Sequence, residues 1–383
     1  MSLEDFLAKK PLFYKEIDYD RMPNAYKSIK EHFKLPKIIH IVGTNAKGTT
    51  GRYLASLLKH QGYKTGHYSS PHILKFNERI WIDGKDVDDE ILERYHQKLQ
   101  KLLHVSFLES LSYFEYTTLL AMLVFQDFCD YVVLEAGLGG ERDATNVFEK
   151  ELSIVTPIGF DHQEFLGNSL KEIATTKLKS IKNRALIAKQ KYKEVYEISS
   201  KLLTKEKIDY FFVEDVLKDD KEIDKFLDLK NIEGFLRENF KTAYAATKLL
   251  GVEIELKEDL KIYSLRGRIE KIRENIYLDV GHNLLSAKAI SRYFSGKKVI
   301  LIYNSFTDKD FKSILKELKK IIQTVEVIYI KSDREMANKE ICRVCKDLEI
   351  ECRDFKTIES DKIYLVYGSF LVVEKFIKDF FER

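Results

Sequence analysis

The sequence predicts an α/β protein built on parallel sheets, with a larger N-terminal and a smaller C-terminal domain. From residue 37 onward, short Ile- and Val-rich runs alternate with stretches of helical periodicity, the pattern of strands joined by crossover helices. The run at 131–134 is apolar throughout and that at 152–156 is a short, mostly apolar run, as expected of strands covered on both faces. After about residue 266 the rhythm starts afresh, and 383 residues exceed what one typical core accommodates.

Taken in order, the run Lys37–Val42 feeds a helix over Lys47–His60, with Tyr53, Leu54, Leu57 and Leu58 at helical spacing and Gly62 just past its end. A short run at 64–68 leads into Ser69-Ser70-Pro71-His72. The strand at 131–134 ends in Glu135, and the one at 152–156 leads into PIGFDH at 157–162. The stretch 171–230 is dense in lysine and glutamate and reads as solvated helix faces. An alanine-rich helix at 239–250 closes on Gly251. The domain boundary falls within 252–266, after which 276–280, 298–303, 325–331 and 363–367 read as strands.

Composition excludes several classes. With 64 basic against 61 acidic residues, the charge is nearly balanced and no nucleic-acid partner is implied. The most apolar stretch, 117–137, is broken by Gln126, Asp127 and Asp130, so a membrane span of ~20 residues is not expected. The opening residues Met1 to Asp5 do not read as a signal peptide. Four cysteines are too few for a disulfide framework, which points to a reducing cytoplasm, and the CxxC spacing of Cys342 and Cys345 is assigned to helix packing.

Ligands of open α/β sheets bind beyond the carboxyl ends of the strands, so chemistry is sought there. The first strand ends in GTNAKGTT at 43–50. Aligned on Lys47, this fails the Walker pattern, which would need Gly at 41 and 46 and a hydroxyl at 48, where Ile41, Ala46 and Gly48 stand. Its backbone N–H groups and the following helix N-terminus would nevertheless suit a phosphate. Glu135 ends an apolar strand, a costly place for a carboxylate unless it meets a cation. Three glycines and an Arg-Asp pair follow in AGLGGERDATN at 136–146, suggesting close backbone approach to a ligand. Ser70, Glu135 and His162, converging from strand ends with phosphate oxygens, describe a hard-cation site of the Mg²⁺ kind.

These residues resemble the folylpolyglutamate synthase and dihydrofolate synthase family of the Mur-ligase superfamily, in its bacterial bifunctional form. The family loop reads GTNGKGS or GTNGKGT, and the chain departs from it only at Ala46. YSSPHILKFNERIWIDG (68–84) is similar to the family's Ω-loop segment, LSYFEYTT (111–118) to its Thr-Tyr-Phe-Glu motif, and LEAGLGGERDATN (134–146) to its glycine-rich Asp-Ala-Thr-Asn block. RGRIE (266–270), LDVGHN (278–283), DKD (308–310) and YGSF (367–370) follow in the family's order. The matches together span about 17–372.

The resemblance implies a P-loop NTPase-like domain of the Mur-ligase central type over 1–258 and a Rossmann-like α/β domain over 259–383. It implies that Thr44, Asn45, Ala46, Lys47, Gly48 and Thr49 hold the ATP phosphates, with Asn239 at the adenine and Arg268, Asp279 and His282 reaching ATP from the second domain. Closure of the two domains would then gate catalysis. Ser70 and Glu135 would bind one Mg²⁺ and His162 a second, supported by a carbamylated Lys177. The family has Ala-Gly after this lysine, where Leu178-Lys179 stands here. Pterin contacts map to Ile17, Asp18 and Tyr19, to Ser112, Tyr113, Phe114 and Glu115, and to Arg142, Asp143 and Ala144. The implied catalytic set is Lys47, Lys177, Arg268 and His162.

The implied activity is ATP-dependent amide formation, joining L-glutamate to dihydropteroate and to folate tails through an acyl phosphate. Partners are then small molecules alone, with no nucleic acid and no membrane, and the protein is a cytoplasmic monomer. Two other readings stay open from the sequence: a cell-wall Mur ligase, and a nucleotide-binding module without catalysis, motivated by Ala46 and the residues after Lys177. If the loop tolerates alanine because its backbone is ordinary, Ala46 is expected in a right-handed or extended conformation, since positive φ costs ~1–2 kcal/mol.

Overall fold

The computed structural model describes residues 1–11, 18–161, 163–218, 220–332 and 334–381. Ile17 and His162 lie outside the described residues. The chain forms two compact units, one of Met1–Asn231 with Arg237–Tyr263 and one of Ile232–Leu236 with Ser264–Arg383.

The first unit carries strands β1 (Lys37–Val42), β2 (Thr65–Tyr68), β3 (Ile80–Ile82), β4 (Lys85–Asp86), β5 (Tyr131–Glu135), β6 (Leu152–Val155), β7 (Arg184–Ile187) and β8 (Asp209–Phe212). They form one sheet in the order β4-β3-β2-β5-β1-β6-β7-β8. From β2 through β8 every neighbouring pair is parallel, so the C-terminal ends of β2, β5, β1 and β6 lie side by side. Continuous apolar runs suit these strands because packed side chains cover both faces. The helix Tyr113–Phe128 is buried from Tyr116 to Phe125, which explains why 117–137 is so apolar: it supplies a core helix and then β5. Among the described residues no helix is long and apolar enough to cross a membrane.

The second unit carries β9 (Arg268–Arg273), β10 (Ile276–Asp279), β11 (Val299–Tyr303), β12 (Ile322–Val327), β13 (Glu351–Asp354) and β14 (Tyr364–Tyr367), in the order β13-β12-β11-β14-β10-β9. All pairs are parallel except β9 with β10, a short hairpin at the edge.

Three expectations are corrected. The lysine- and glutamate-rich stretch 171–230 holds two strands, β7 and β8, each of four residues, whose apolar signal is masked by charged flanks. Cys342 is bonded to Cys352 of β13, with Cα atoms 5.4 Å apart, while Cys345 on the same helix is buried in the core. The chain reversal after the helix Glu340–Asp347 brings β13 back against it, a proximity no local pattern encodes. Ala46, finally, is left-handed.

Candidate active site

Gly43 leaves β1 with φ 152°, and a Cβ there would sit 2.0 Å from Thr156 Oγ1 at the end of β6. Only glycine fits that approach. The N–H groups of Thr44 and Asn45 both donate to Pro157 O, at 3.0 and 3.1 Å, and Thr44 Oγ1 donates to Gly159 O at 3.0 Å. The loop is thereby moored to the segment leaving β6. Ala46 then takes φ 70°, ψ −4° as the N-cap of the helix Lys47–His60, against the expectation of an ordinary conformation. The left-handed turn lets the chain enter the helix directly from a loop fixed on both sides. The first N–H groups of the helix, which have no partner within it, are thus gathered at the carboxyl ends of the strands.

Lys47 folds back across this loop, its Nζ 3.3 Å from Gly43 O and 3.4 Å from Thr44 O. It also lies 3.7 Å from a carboxylate oxygen of Glu135, which is 5% exposed at the end of β5 and accepts the Ser70 N–H at 3.3 Å. The carboxylate that ends an apolar strand has met its cation. Ser70, Glu135 and the 43–50 loop are brought together because β2, β5 and β1 are adjacent and parallel. The Glu135 carboxylate and the Ser70 hydroxyl beside the 43–50 turn are hard oxygen donors of the type Mg²⁺ takes, and they fit that ion. Among the described residues no group of three His, Cys, Asp or Glu side chains forms a metal cluster.

Lys177 is 4% exposed on the helix Leu170–Leu178. Burial first, and the Lys47 charge second, push its amine down to about 7, opposed by Asp161 and Asp143. The glycine-rich loop packs on its backbone: a Cβ on Gly140 would lie 2.7 Å from Lys177 O, and Glu141 N–H donates to Thr176 O at 3.1 Å. Lys150 adds a second tie, donating to Asn146 and to Ser180 O. Asp143 is 8% exposed; burial pushes its carboxyl up, against the pull of Thr145, Leu138 and Lys177.

The residues implied for the pterin divide into three groups. Phe114 stacks on Tyr68 with centroids 5.9 Å apart and covers Gly137, whose added Cβ would lie 2.7 Å from the ring. Tyr113 carries the Arg79 guanidinium 5.2 Å over its ring. Ser112 and Glu115 form a capping box on the helix Tyr113–Phe128, and the Glu115 carboxylate takes the Arg21 fork at 2.9 and 3.1 Å, a partner the sequence reading missed. Asp18 accepts the N–H of Asp20 at 2.9 Å, and Tyr19, 47% exposed, lies under the Arg142 guanidinium at 3.8 Å. Ala144 is buried beside Asp143.

Asn239, 4% exposed on the helix Phe235–Leu249, has an unpartnered side-chain amide, and Thr50 Oγ1, in the first turn of the helix Lys47–His60, is likewise unpartnered. In the second unit, Arg268 opens β9, with its guanidinium 5.2 Å over Phe370. Asp279 ends β10 and accepts the N–H groups of Gly281 at 2.8 Å and Ile269 at 3.1 Å. Burial pushes its carboxyl up, with Arg268 the strongest opposing influence. His282 Nδ1 lies 3.1 Å from Val280 O.

No protein-family model matches the chain. It is 30% identical over 310 residues to the dihydrofolate synthase/folylpolyglutamate synthase of Escherichia coli, covering 75% of this chain and 71% of that protein. With the protein of the same name from Haemophilus influenzae it shares 29% identity over 416 residues, 95% of this chain and 94% of the relative. The crystal structure of Helicobacter pylori folylpolyglutamate synthetase superposes with a TM-score of 0.81 at 38% identity, covering 100% of this chain and 98% of that one.

Proposed function

This chain belongs to the folylpolyglutamate synthase/dihydrofolate synthase family, and on that premise we propose that it is an ATP-dependent ligase that joins L-glutamate to dihydropteroate and to the glutamate tail of folates. The observation that carries the reading is the convergence of the 43–50 loop and Glu135 at neighbouring strand ends, with the buried Lys177 near enough for the Lys47 charge to act on its amine.

A carboxylate is a poor acyl donor and must be activated before an amine can displace its oxygen. The γ-phosphoryl group of ATP passes to the substrate carboxylate, giving an acyl phosphate; the glutamate amine attacks the carbonyl carbon and phosphate leaves. No protein nucleophile takes part, so catalysis rests on positioning and on neutralising charge. In this reading Thr44 to Thr49 hold the phosphates, Lys47 neutralises the transferring group, and Asn239 uses its unpartnered amide on the base. Arg268, Asp279 and His282 are assigned to the nucleotide as well. Ser70 and Glu135 would hold Mg²⁺, with His162 at a second ion, and the metal supplies charge neutralisation when bound. An amine at about 7 is partly neutral at physiological pH, as condensation with CO₂ requires, which supports a carbamylated Lys177. Phe114, Tyr113 and the Tyr19–Arg142 pair offer flat surfaces for a pterin. We assign nucleotide binding to 1–258 and the Rossmann-like part to 259–383, in a cytoplasmic monomer.

The test is release of phosphate by the purified protein with ATP, Mg²⁺ and L-glutamate, in the presence of dihydropteroate or tetrahydrofolate. Release with either substrate is expected. If neither yields phosphate, the ligase reading fails.

A further inference from the structure

Beneath the loop that bears Arg142, Asp143 and Ala144 runs a chain of buried polar side chains that begins inside β1. His40 is fully buried there; its Nε2 lies 2.8 Å from Thr145 Oγ1, and its Nδ1 has no hydrogen-bond partner. Thr145 Oγ1 lies 2.6 Å from Asp143 Oδ1, which also accepts the Thr145 N–H at 3.0 Å, while Asp143 Oδ2 accepts the Leu138 N–H at 2.8 Å.

A hydroxyl has one proton to give. The Thr145 hydroxyl donates to Asp143 Oδ1, and two backbone N–H groups on the same carboxylate work against the burial that pushes its carboxyl up. Thr145 Oγ1 is then an acceptor toward His40, and the imidazole must carry its proton on Nε2. The opposite tautomer would bury an N–H at Nδ1 with nothing to accept it, a costly arrangement. Burial, and then the Lys150 ammonium, hold the ring's pKa well below its ordinary value, so the neutral form persists.

We propose that His40 is a positioning residue of this ligase: as the neutral Nε2–H tautomer it directs the Thr145 hydroxyl onto Asp143 and so holds the 138–146 loop, which packs on the Lys177 backbone, in one arrangement. The inference rests on the reading of that loop and Lys177 as part of the active site. His40 touches no substrate; it acts through Thr145. Each link has one proton and one direction, so losing the first leaves the hydroxyl free to rotate and Asp143 short of one oriented donor.

Two measurements test it. In the full chain labelled with ¹⁵N-histidine, two-bond ¹⁵N–¹H correlations give the tautomer of each of the nine histidines, and His40→Gln assigns the signal. His40 is expected as Nε2–H without titration between about pH 6 and 9; an Nδ1–H form, or titration near the ordinary histidine value, overturns the proposal. In steady-state phosphate release, His40→Gln keeps an amide donor at the same reach and should retain kcat within about threefold. His40→Leu and Thr145→Val should each lower kcat by about tenfold or more, with KM for ATP nearly unchanged. The double variant should be no worse than Thr145→Val alone. Equal impairment by Gln and Leu, or additive losses in the double variant, overturns it. If the wild-type chain releases no phosphate, the ligase reading fails on its own, and the tautomer still decides the orientation of the chain.

Discussion

Ala46 in the first unit and Ile269 in the second are both non-glycine residues with positive φ, 70° and 48°, and each stands next to a candidate nucleotide-binding residue, Lys47 and Arg268. They are held in different ways. The bend at Ala46 is flanked by main-chain bonds, Thr44 and Asn45 to Pro157 O and Thr50 N–H to Ala46 O at 2.9 Å, together with the Thr44 hydroxyl on Gly159 O. Ile269 is β-branched and buried, and the strain there is larger. Its N–H is gripped by the Asp279 carboxylate, which also grips Gly281. A helix start can thus hold a mild distortion with main-chain bonds, whereas a β-branched residue in a strand needs a dedicated side chain. In the first unit the buried acid, Glu135, lies 3.7 Å from Lys47 and also accepts the Ser70 N–H.

That contrast can be broken most directly at Glu135. If the acid serves the ligand, Glu135→Gln should lower kcat by about 100-fold or more, since metal and charge stabilisation is worth several kcal/mol, with the circular dichroism spectrum unchanged. Near-normal turnover would remove Glu135 from the site. In the second unit the acid is expected to govern stability: Asp279→Ala leaves two backbone N–H groups without their acceptor and should cost about 2–3 kcal/mol in urea unfolding.

A third test concerns Lys177, whose folded pKa of about 7 lies below its ordinary 10.5. Between those values the unfolded chain holds a proton that the folded chain has released, so the wild-type protein gains stability as pH rises from 7 to 10.5, and below 7 the burial penalty is full. Lys177→Met should therefore melt above wild type at pH 7 in CO₂-free buffer. The advantage should shrink toward pH 10; an advantage that grows with pH would reverse the assignment. The smallest effect is at Ala46: glycine there should stabilise by about 1 kcal/mol and valine should destabilise, read from thermal melts.

Glu135 was legible in the sequence because a carboxylate closing an apolar run is anomalous by itself, and the structure supplies Lys47 as its partner. The helix Lys47–His60 was legible from four apolar residues at helical spacing and a terminal glycine. His40 carried no such signal. It reads as one more polar residue in a strand, and its partner Thr145 is 105 positions away. Arg21, which occupies Glu115, is 94 positions from it, and Cys352 pairs with Cys342 only because a strand returns beside its own helix. The four-residue strands β7 and β8 are too short for their alternation to stand out among lysines.

Local physical chemistry therefore determined the parallel α/β class, the phosphate-type loop after β1 and the acid at the end of β5, because periodicity, glycine placement and a misplaced charge are properties of a few consecutive residues. Tertiary structure alone decided which strand ends adjoin, which handedness Ala46 adopts, and where the protons of His40 and Thr145 point. Those depend on hydrogen-bond partners and neighbouring charges that only the folded sheet brings within a few ångströms.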